Sequence, residues 1–124
     1  MMFINEITMV LTLLAATTLG LVPAAAPAIG EMTYYDPNTG NQVACGGFFQ
    51  PADRIAAVGA AHFDGKDVCG KVASVTHNGK TVTAVIRDRC EACKPGDIDV
   101  TPTVFQELAP LGAGRVPGVS WTLA

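Results

Sequence analysis

The sequence contains few charged and few aromatic side chains. Of its 124 residues, 15% are charged and 6% are aromatic, and the first 30 residues contain no Lys or Arg. From Ile29 onward the net charge is −2. This balance argues against a nucleic-acid-binding protein, because phosphate neutralisation needs clustered cations. The sequence also lacks internal repeats and low-complexity tracts, and its length suits one domain. A helical repeat array, a multidomain enzyme and a disordered tail are therefore excluded.

The N-terminal segment has the pattern of a secretory leader. An apolar run without charge occupies positions 7–22, and Ala26-Pro27-Ala28 fits a small-residue cleavage site. We therefore predict that residues 1–28 are a signal peptide and that residues 29–124 form one secreted domain. The alternative is an uncleaved signal anchor, since positions 7–29 are long enough to span a membrane. Pro23 and the small residues around it favour cleavage.

Four cysteines lie in the predicted mature chain, at positions 45, 69, 90 and 93. An even number of cysteines in a short secreted domain predicts two disulfides, with three possible connectivities. A zinc site is disfavoured because only one Cys-x-x-Cys pair is present. A thioredoxin-like redox motif is disfavoured because Lys94-Pro95-Gly96, which follows Cys93, would break the helix that such a motif normally begins.

A β-hairpin is the clearest local prediction. Two β-branched runs, 71–76 and 81–87, flank Asn78-Gly79, and this dipeptide suits a type I′ turn whose two central residues need positive φ. Val82, Ala84 and Ile86 alternate with neighbours on the other face, as in a strand with one buried side.

The remaining segments predict a small, mostly β domain. Thr101-Pro102 has the pattern of an N-cap followed by the first residue of a helix that ends near Leu108. Segment 53–63 is ambiguous between strand and helix. Further strands are predicted at 31–35, 98–100 and 116–123, and together these elements predict a barrel.

The order of motifs along residues 30–124 resembles the double-psi β-barrel superfamily. That superfamily includes barwin, the N-terminal domain of expansins, rare lipoprotein A, family-45 endoglucanases and small secreted papain-inhibitor-like proteins. The chain is most similar to the small fungal secreted proteins of the rare-lipoprotein-A-like, expansin-like type. The motifs are Thr33-Tyr34-Tyr35-Asp36, Ala44-Cys45-Gly46, Cys69-Gly70-Lys71, Arg87-Asp88-Arg89-Cys90-Glu91-Ala92-Cys93 and Asp97-Ile98-Asp99-Val100-Thr101-Pro102.

This resemblance implies a fold and a disulfide pairing. The expected fold is a mainly β, six-stranded double-psi β-barrel with one or two short helices. Cys45 and Cys69 match a bonded pair in barwin and expansins. Cys90 matches a cysteine whose usual partner is missing here, which leaves Cys93 as its partner.

The resemblance also implies candidate catalytic carboxylates. Asp36 follows two tyrosines as the catalytic base does in family-45 endoglucanases, and Asp99 matches their proton donor, which expansins share. Asp36 also suits a plain turn, and we favour that interpretation. Asp97 stands where expansins have His, which places two carboxylates near each other and could raise one pKa. Asp99 has a structural alternative as a carboxylate that caps the following helix.

A second candidate pair is Asp88 with His62, which resemble the catalytic Asp and His of rare lipoprotein A. The match at His62 is only Ala-Ala-His, so a histidine without a catalytic role is the favoured interpretation. Asp88 lies between two arginines and is equally consistent with a structural ion pair.

The candidate sugar or protein contacts are four aromatic side chains and one carboxylate: Tyr34, Tyr35, Phe48, Phe49 and Asp97. Phe48-Phe49 follows two glycines, and alternation in extended backbone predicts that one of the two rings is buried. Trp121, in the last strand, is assigned to the core.

We therefore predict a secreted, monomeric, non-catalytic protein without cofactor or metal. Its expected partner is cell-wall polysaccharide or an extracellular protease, with no nucleic acid and no membrane after signal cleavage. The protease interpretation is inhibition of a cysteine protease through an exposed loop such as 46–51. The alternative is an enzyme, a lytic transglycosylase or endoglucanase-like protein, that uses Asp99 with Asp36 or Asp88 with His62.

Overall fold

The structure, a computed structural model, describes residues 26–65 and 67–124. The first 25 residues, which make up most of the predicted signal peptide, lie outside the described residues, so that assignment stays a prediction. Within the described residues, no helix combines the length and the apolar character that crossing a membrane requires.

Six strands form a closed barrel. Their order around the barrel is β1-β5-β2-β4-β3-β6, and β6 pairs with β1 to close it. Two of the pairings are parallel, β1 with β5 and β2 with β4, whereas the others are antiparallel. Two short helices and one 3-10 turn connect the strands. The elements are β1 (Ala28–Tyr34), β2 (Ile55–Val58), α1 (Ala60–Phe63), β3 (Val72–His77), β4 (Lys80–Arg89), β5 (Ile98–Val100), α2 (Pro102–Gln106), the 3-10 turn (Leu111–Ala113) and β6 (Arg115–Leu123).

The interior of the barrel is filled by one apolar core. Strand residues of alternating positions point inward, and Trp121 is only 3% exposed, as predicted. The predicted hairpin is confirmed: Val82, Ala84 and Ile86 are buried, and Asn78 and Gly79 have φ values of 49° and 78°. The expected six-stranded double-psi barrel is thereby confirmed.

Both predicted disulfides are present, Cys45–Cys69 and Cys90–Cys93. The first closes a long segment that contains β2 and α1. The second closes a loop of four residues directly after β4.

The ambiguous segment 53–63 contains both kinds of structure. Its first half forms β2, which is fully buried, and its second half forms the single turn of α1. Gly59 separates them, and any larger residue there would press on Cys93, because an added Cβ would lie 2.8 Å from the Cys93 carbonyl oxygen.

The second helix begins where the sequence predicts, with Thr101 as N-cap and Pro102 as first helical residue, but it ends at Gln106 rather than Leu108. Thr101 occupies the N-cap position without a side-chain capping hydrogen bond. The Thr101 hydroxyl does not bond within the helix; it donates to the backbone carbonyl of Asp53. Thr101 is completely buried, so its hydroxyl connects the helix start to the segment before β2.

Candidate functional site

A row of five residues, four of them polar and one an alanine, crosses five neighbouring strands. This set is called the polar row below. Strand register places Arg115 beside Thr33, Thr33 beside Asp99, Asp99 beside Ala57 and Ala57 beside Asp88. The row exists because side chains alternate along a strand: Ile98 and Val100 on either side of Asp99 are fully buried. The Asp99 side chain therefore lies on the opposite face from its two apolar neighbours.

Asp99 lies at the centre of this row. Its Oδ1 accepts a hydrogen bond from the Thr33 hydroxyl at 2.9 Å. Partial burial raises the pKa of Asp99 above its ordinary value, and the charge on Asp88 raises it further. The Thr33 hydrogen bond and the Arg115 guanidinium lower the pKa in part, but the net direction is upward. Asp99 therefore holds a proton more readily than an ordinary carboxyl group, as a hydrogen-bond donor or proton donor must.

Asp88, at the end of the row, is held by three hydrogen bonds. The Tyr35 hydroxyl donates to Oδ2 at 3.0 Å, and the backbone amides of Ala44 and Arg89 donate to Oδ1 at 3.0 and 2.9 Å. Burial and then the neighbouring Asp88 charge raise the pKa of Tyr35, so its hydroxyl remains a donor. Asp88 therefore links the 44–47 loop to the barrel through Tyr35 and two amides.

A cavity of about 330 Å³ opens beside Asp99. Tyr34 forms one side; its hydroxyl donates to the Leu111 carbonyl and its ring packs edge-on against Phe105. The Cys90–Cys93 disulfide loop forms another side. The described residues that line the cavity are Thr33, Tyr34, Cys90, Ala92, Cys93, Asp97, Asp99, Gly114 and Arg115.

Asp97 lines the same cavity but is occupied by the backbone. Its Oδ1 accepts from the Glu31 amide and its Oδ2 from the Lys94 amide, both at 3.0 Å. It therefore fixes the turn before β5 against β1. Asp97 is not among the groups that shift the pKa of Asp99, so the raised pKa has a different source from the adjacent pair that the sequence suggested.

Asp36, the predicted catalytic partner of Asp99, forms part of a turn. Asp36 is exposed, and its Oδ1 accepts from the Asn38 amide at 2.8 Å, as in an Asx turn. It is absent from the lining of the Asp99 cavity. The carboxylate that does influence Asp99 is Asp88, two strands away across Ala57.

His62 contacts the turn that carries Gly96 and the ring of Trp121. Its Nε2 accepts from the Gly96 amide at 3.1 Å, and its ring packs edge-on against Trp121 at 4.9 Å between centroids. Trp121 in turn donates its indole N–H to the Gly96 carbonyl. His62 also borders a separate cavity of about 430 Å³ near the start of β1. Its recorded contacts support the turn that carries Gly96.

The Phe48-Phe49 loop separates the two rings as alternation predicts. Phe48 is 67% exposed, whereas Phe49 is half-buried and the Arg87 guanidinium lies over its ring at 5.9 Å. The loop is fixed at its base by the Cys45–Cys69 disulfide and by a bond from the Val43 amide to the Gly47 carbonyl. It therefore presents one aromatic side chain from an anchored backbone.

Sequence reasoning missed Thr33, Ala57 and Arg115 as members of the site. Thr33 lies within the motif Thr33-Tyr34-Tyr35-Asp36, but only the pairing of β1 with β5 shows that its hydroxyl donates a hydrogen bond to Asp99. Among the described residues, no group of three or more His, Cys, Asp or Glu side chains is arranged to hold a metal ion.

Residues 27–121 match the family described as lytic transglycolase. Allergen Asp f 7 of Aspergillus fumigatus is 38% identical over 102 residues, which cover 77% of this chain and 36% of that protein. The papain inhibitor of Streptomyces mobaraensis is 32% identical over 119 residues, which cover 90% of this chain and 81% of that protein. The chain therefore spans about a third of the allergen's length but most of the inhibitor's.

Two kinds of solved structure resemble the barrel. The Streptomyces papain inhibitor matches with a TM-score of 0.71 and 30% identity over 84% of this chain and 99% of that one. An Asp-to-Asn mutant of Clavibacter michiganensis expansin in complex with cellohexaose matches with a TM-score of 0.69 and 25% identity. That match covers 80% of this chain and 50% of the expansin.

Proposed function

The chain belongs to the lytic transglycolase family of double-psi β-barrels, and from this premise we propose that it is an extracellular protein that binds a glycan strand beside Asp99 without cleaving it. The papain-inhibitor and expansin relatives support a non-catalytic binding role. The expansin neighbour was solved with a cello-oligosaccharide, which supports a glycan as the ligand class.

The observation that carries the proposal is the polar row beside the cavity. A carboxyl group with a raised pKa, a threonine hydroxyl and an arginine line one open cavity with a tyrosine at its side. Sugars are recognised by such a combination, because their hydroxyl groups donate and accept hydrogen bonds while ring faces pack on aromatic side chains.

Binding without cleavage is favoured by the state of the possible bases. An inverting glycosidase needs a free carboxylate across the substrate from its acid. Asp36 is engaged in its turn, and both oxygens of Asp88 already accept hydrogen bonds from Tyr35 and two backbone amides. Asp99 therefore has the raised pKa that a proton donor needs, but neither Asp36 nor Asp88 is a free carboxylate that could activate a water molecule.

The first test is retention on insoluble glycans. The purified protein is mixed with cellulose, chitin, β-1,3-glucan and peptidoglycan, and the bound and free fractions of the protein are compared. Thr33→Val keeps the side-chain shape but removes the hydroxyl that bonds Asp99. We expect it to weaken retention about threefold to tenfold, the effect of one lost hydrogen bond.

Asp67→Asn is the matched control, because Asp67 is an exposed carboxylate outside the cavity lining. Equal loss in both variants, or no retention on any of the four glycans, would contradict glycan binding. Soluble sugars detected by mass spectrometry and abolished by Asp99→Asn would contradict the non-catalytic part and establish the enzymatic alternative.

The second candidate is inhibition of a papain-like cysteine protease, favoured by the anchored loop that exposes Phe48. An exposed aromatic on a rigid loop suits an apolar subsite of a protease cleft, since large aromatics supply most of the energy at binding hot spots. The papain-inhibitor relative covers nearly the whole of this barrel.

Its test is the inhibition constant against papain. We expect Phe48→Ala to weaken inhibition by at least tenfold, as for an interface hot spot. Val72→Ala is the control, since Val72 is another exposed apolar residue, 38% exposed, and lies on β3 outside the loop. No inhibition by the unmodified protein would exclude this candidate.

We propose further that residues 1–28 are removed and that residues 29–124 act as a monomer outside the cell. β1 begins at Ala28, so cleavage behind Ala28 would leave the rest of the strand intact. The intact mass of the secreted protein tests the cleavage position, and light scattering tests the monomer.

A further inference from the structure

The cavity beside Asp99 has more negative than positive charge. Asp97 and Asp99 line it, and Arg115 is the only cation among the described residues of its lining. Arg115 is already paired with Glu31 at 3.0 Å. A ligand that enters the cavity therefore meets a site with an excess of carboxylates.

The two carboxylates of the cavity differ in the groups that stabilise their negative charge. Asp97 accepts two backbone amides, and these dipoles stabilise its negative charge. Among the described residues, only the neutral Thr33 hydroxyl donates a hydrogen bond to Asp99, and no ion pair includes Asp99. Arg115 acts on Asp99 through its charge, but its guanidinium is paired with Glu31, so a positively charged ligand group would still offset part of the cost of burying the Asp99 carboxylate.

We propose that the preferred ligand is a β-linked oligosaccharide that carries free amino groups, with one ammonium group bound to the Asp99 carboxylate. This proposal rests on the glycan-binding function above and narrows its ligand class. The ammonium donates a charge-assisted hydrogen bond to Asp99 while neighbouring sugar hydroxyls reach Thr33. Tyr34, whose ring is fixed by Phe105 and by its hydroxyl bond to Leu111, borders the same cavity.

The proposal gives a pH dependence with a definite sign. Only the ionised Asp99 attracts an ammonium group, so the preference for amino sugars is lost as the pH falls through the pKa of Asp99. That pKa lies above the ordinary value, so the loss occurs at a higher pH than for an exposed aspartate. The titratable and charged groups around Asp99 are Asp88 on β4, Tyr35 after β1, Arg115 on β6 and Asp97 before β5.

The test is calorimetric titration with three hexamers: glucosamine, N-acetylglucosamine and glucose. We expect the glucosamine hexamer to bind about tenfold more tightly than the N-acetylated one at low salt, the effect of one charge-assisted hydrogen bond. This advantage should shrink as salt is added, because a partly exposed ion pair is screened.

Two variants act in opposite directions. Asp99→Asn should remove the tenfold preference, because an amide keeps the shape but carries no charge. Arg115→Gln removes the competing cation from β6, where the side chain is more than half exposed, and should increase the preference for the glucosamine hexamer over the N-acetylated one about threefold. Asp67→Asn should leave all three affinities unchanged.

The outcomes separate this inference from the function on which it rests. If none of the hexamers binds, glycan binding itself fails. If the neutral hexamers bind as tightly as glucosamine, glycan binding stands and the amino-sugar preference is wrong. A preference that survives in Asp99→Asn or weakens in Arg115→Gln would place the ammonium group elsewhere and also overturn the proposal.

Discussion

At the scale of single residues, Asp99 combines its place in the proposed binding site with a cost in stability. Its folded-state pKa is raised, which means that the ionised form is disfavoured in the folded protein. Such a group contributes stability at low pH, below its unfolded pKa, and loses that contribution as the pH rises through its folded pKa. Binding sites often retain residues of this kind at the expense of stability.

We therefore expect Asp99→Asn to raise the melting temperature at pH 7 by a few degrees. The amide removes the buried charge and can still accept from Thr33. The gain should disappear near pH 3, where Asp99 is protonated in both folded and unfolded chains. Thermal unfolding of both proteins at the two pH values measures this, and a variant less stable at pH 7 would contradict the inference that the ionised Asp99 carboxylate is disfavoured in the folded protein.

Two glycines with positive φ differ sharply in their surroundings. Gly79, in the hairpin turn, has φ +78° and open space around a Cβ, whereas Gly96 has φ +91° and an added Cβ would lie 2.1 Å from the Ile29 carbonyl oxygen. Gly96 also bonds His62 and Trp121 through its own backbone. The first glycine is needed for its conformation alone, the second also for close approach of two backbones.

Gly79→Ala should therefore cost about 1 kcal/mol of unfolding free energy, the price of a left-handed conformation. Gly96→Ala should prevent folding or cost more than about 3 kcal/mol, because the clash adds to that backbone cost. Urea titration followed by circular dichroism compares the two. Similar losses in both variants would show that the barrel relaxes around residue 96.

At the scale of elements, the sequence predicted the turns and helix starts that depend on neighbouring residues. Asn78-Gly79 defined the hairpin, and Thr101-Pro102 marked the start of α2. The polar row could not be predicted, because its contacts depend on pairings between distant segments: Thr33 and Asp99 are 66 residues apart. Nothing in the residues around Asp88 indicates that Ala57 will align it with Asp99.

The two disulfides should differ in their contribution to stability. In the loop-closure account, Cys45–Cys69 with a separation of 24 residues contributes about 3.5 kcal/mol, and Cys90–Cys93 with a separation of 3 contributes about 2 kcal/mol. We expect the Cys45→Ala/Cys69→Ala variant to lose more unfolding free energy than the Cys90→Ala/Cys93→Ala variant. Urea denaturation of both variants beside the unmodified protein checks the order.

The reverse order would have a structural meaning. The Cys90–Cys93 loop forms one side of the Asp99 cavity, and the Cys90 amide bonds the Val58 carbonyl at 2.9 Å. A larger loss from its removal would show that the folded state, rather than the unfolded chain, is what this disulfide constrains.

At the scale of the whole molecule, the barrel should unfold as one unit. Each strand pairs on both sides, and β6 joins β1 to β3, so no strand can detach without breaking two sets of hydrogen bonds. Trp121 lies at this junction, opposite Ala28 and Val75, and is the only tryptophan in the sequence. Its fluorescence therefore reports on the closure of the barrel, whereas circular dichroism reports on the strands as a whole.

We expect the two signals to follow the same denaturation curve when both disulfides are kept oxidised. Folding should take milliseconds to seconds, because most strand pairs join segments that are distant in sequence. Stopped-flow refolding measures the rate with the same fluorescence signal. If Trp121 fluorescence changed at a lower urea concentration than the dichroism, β6 would open before the rest of the barrel, and Asp99 would then lose Arg115 from its row while the remaining strands stayed folded.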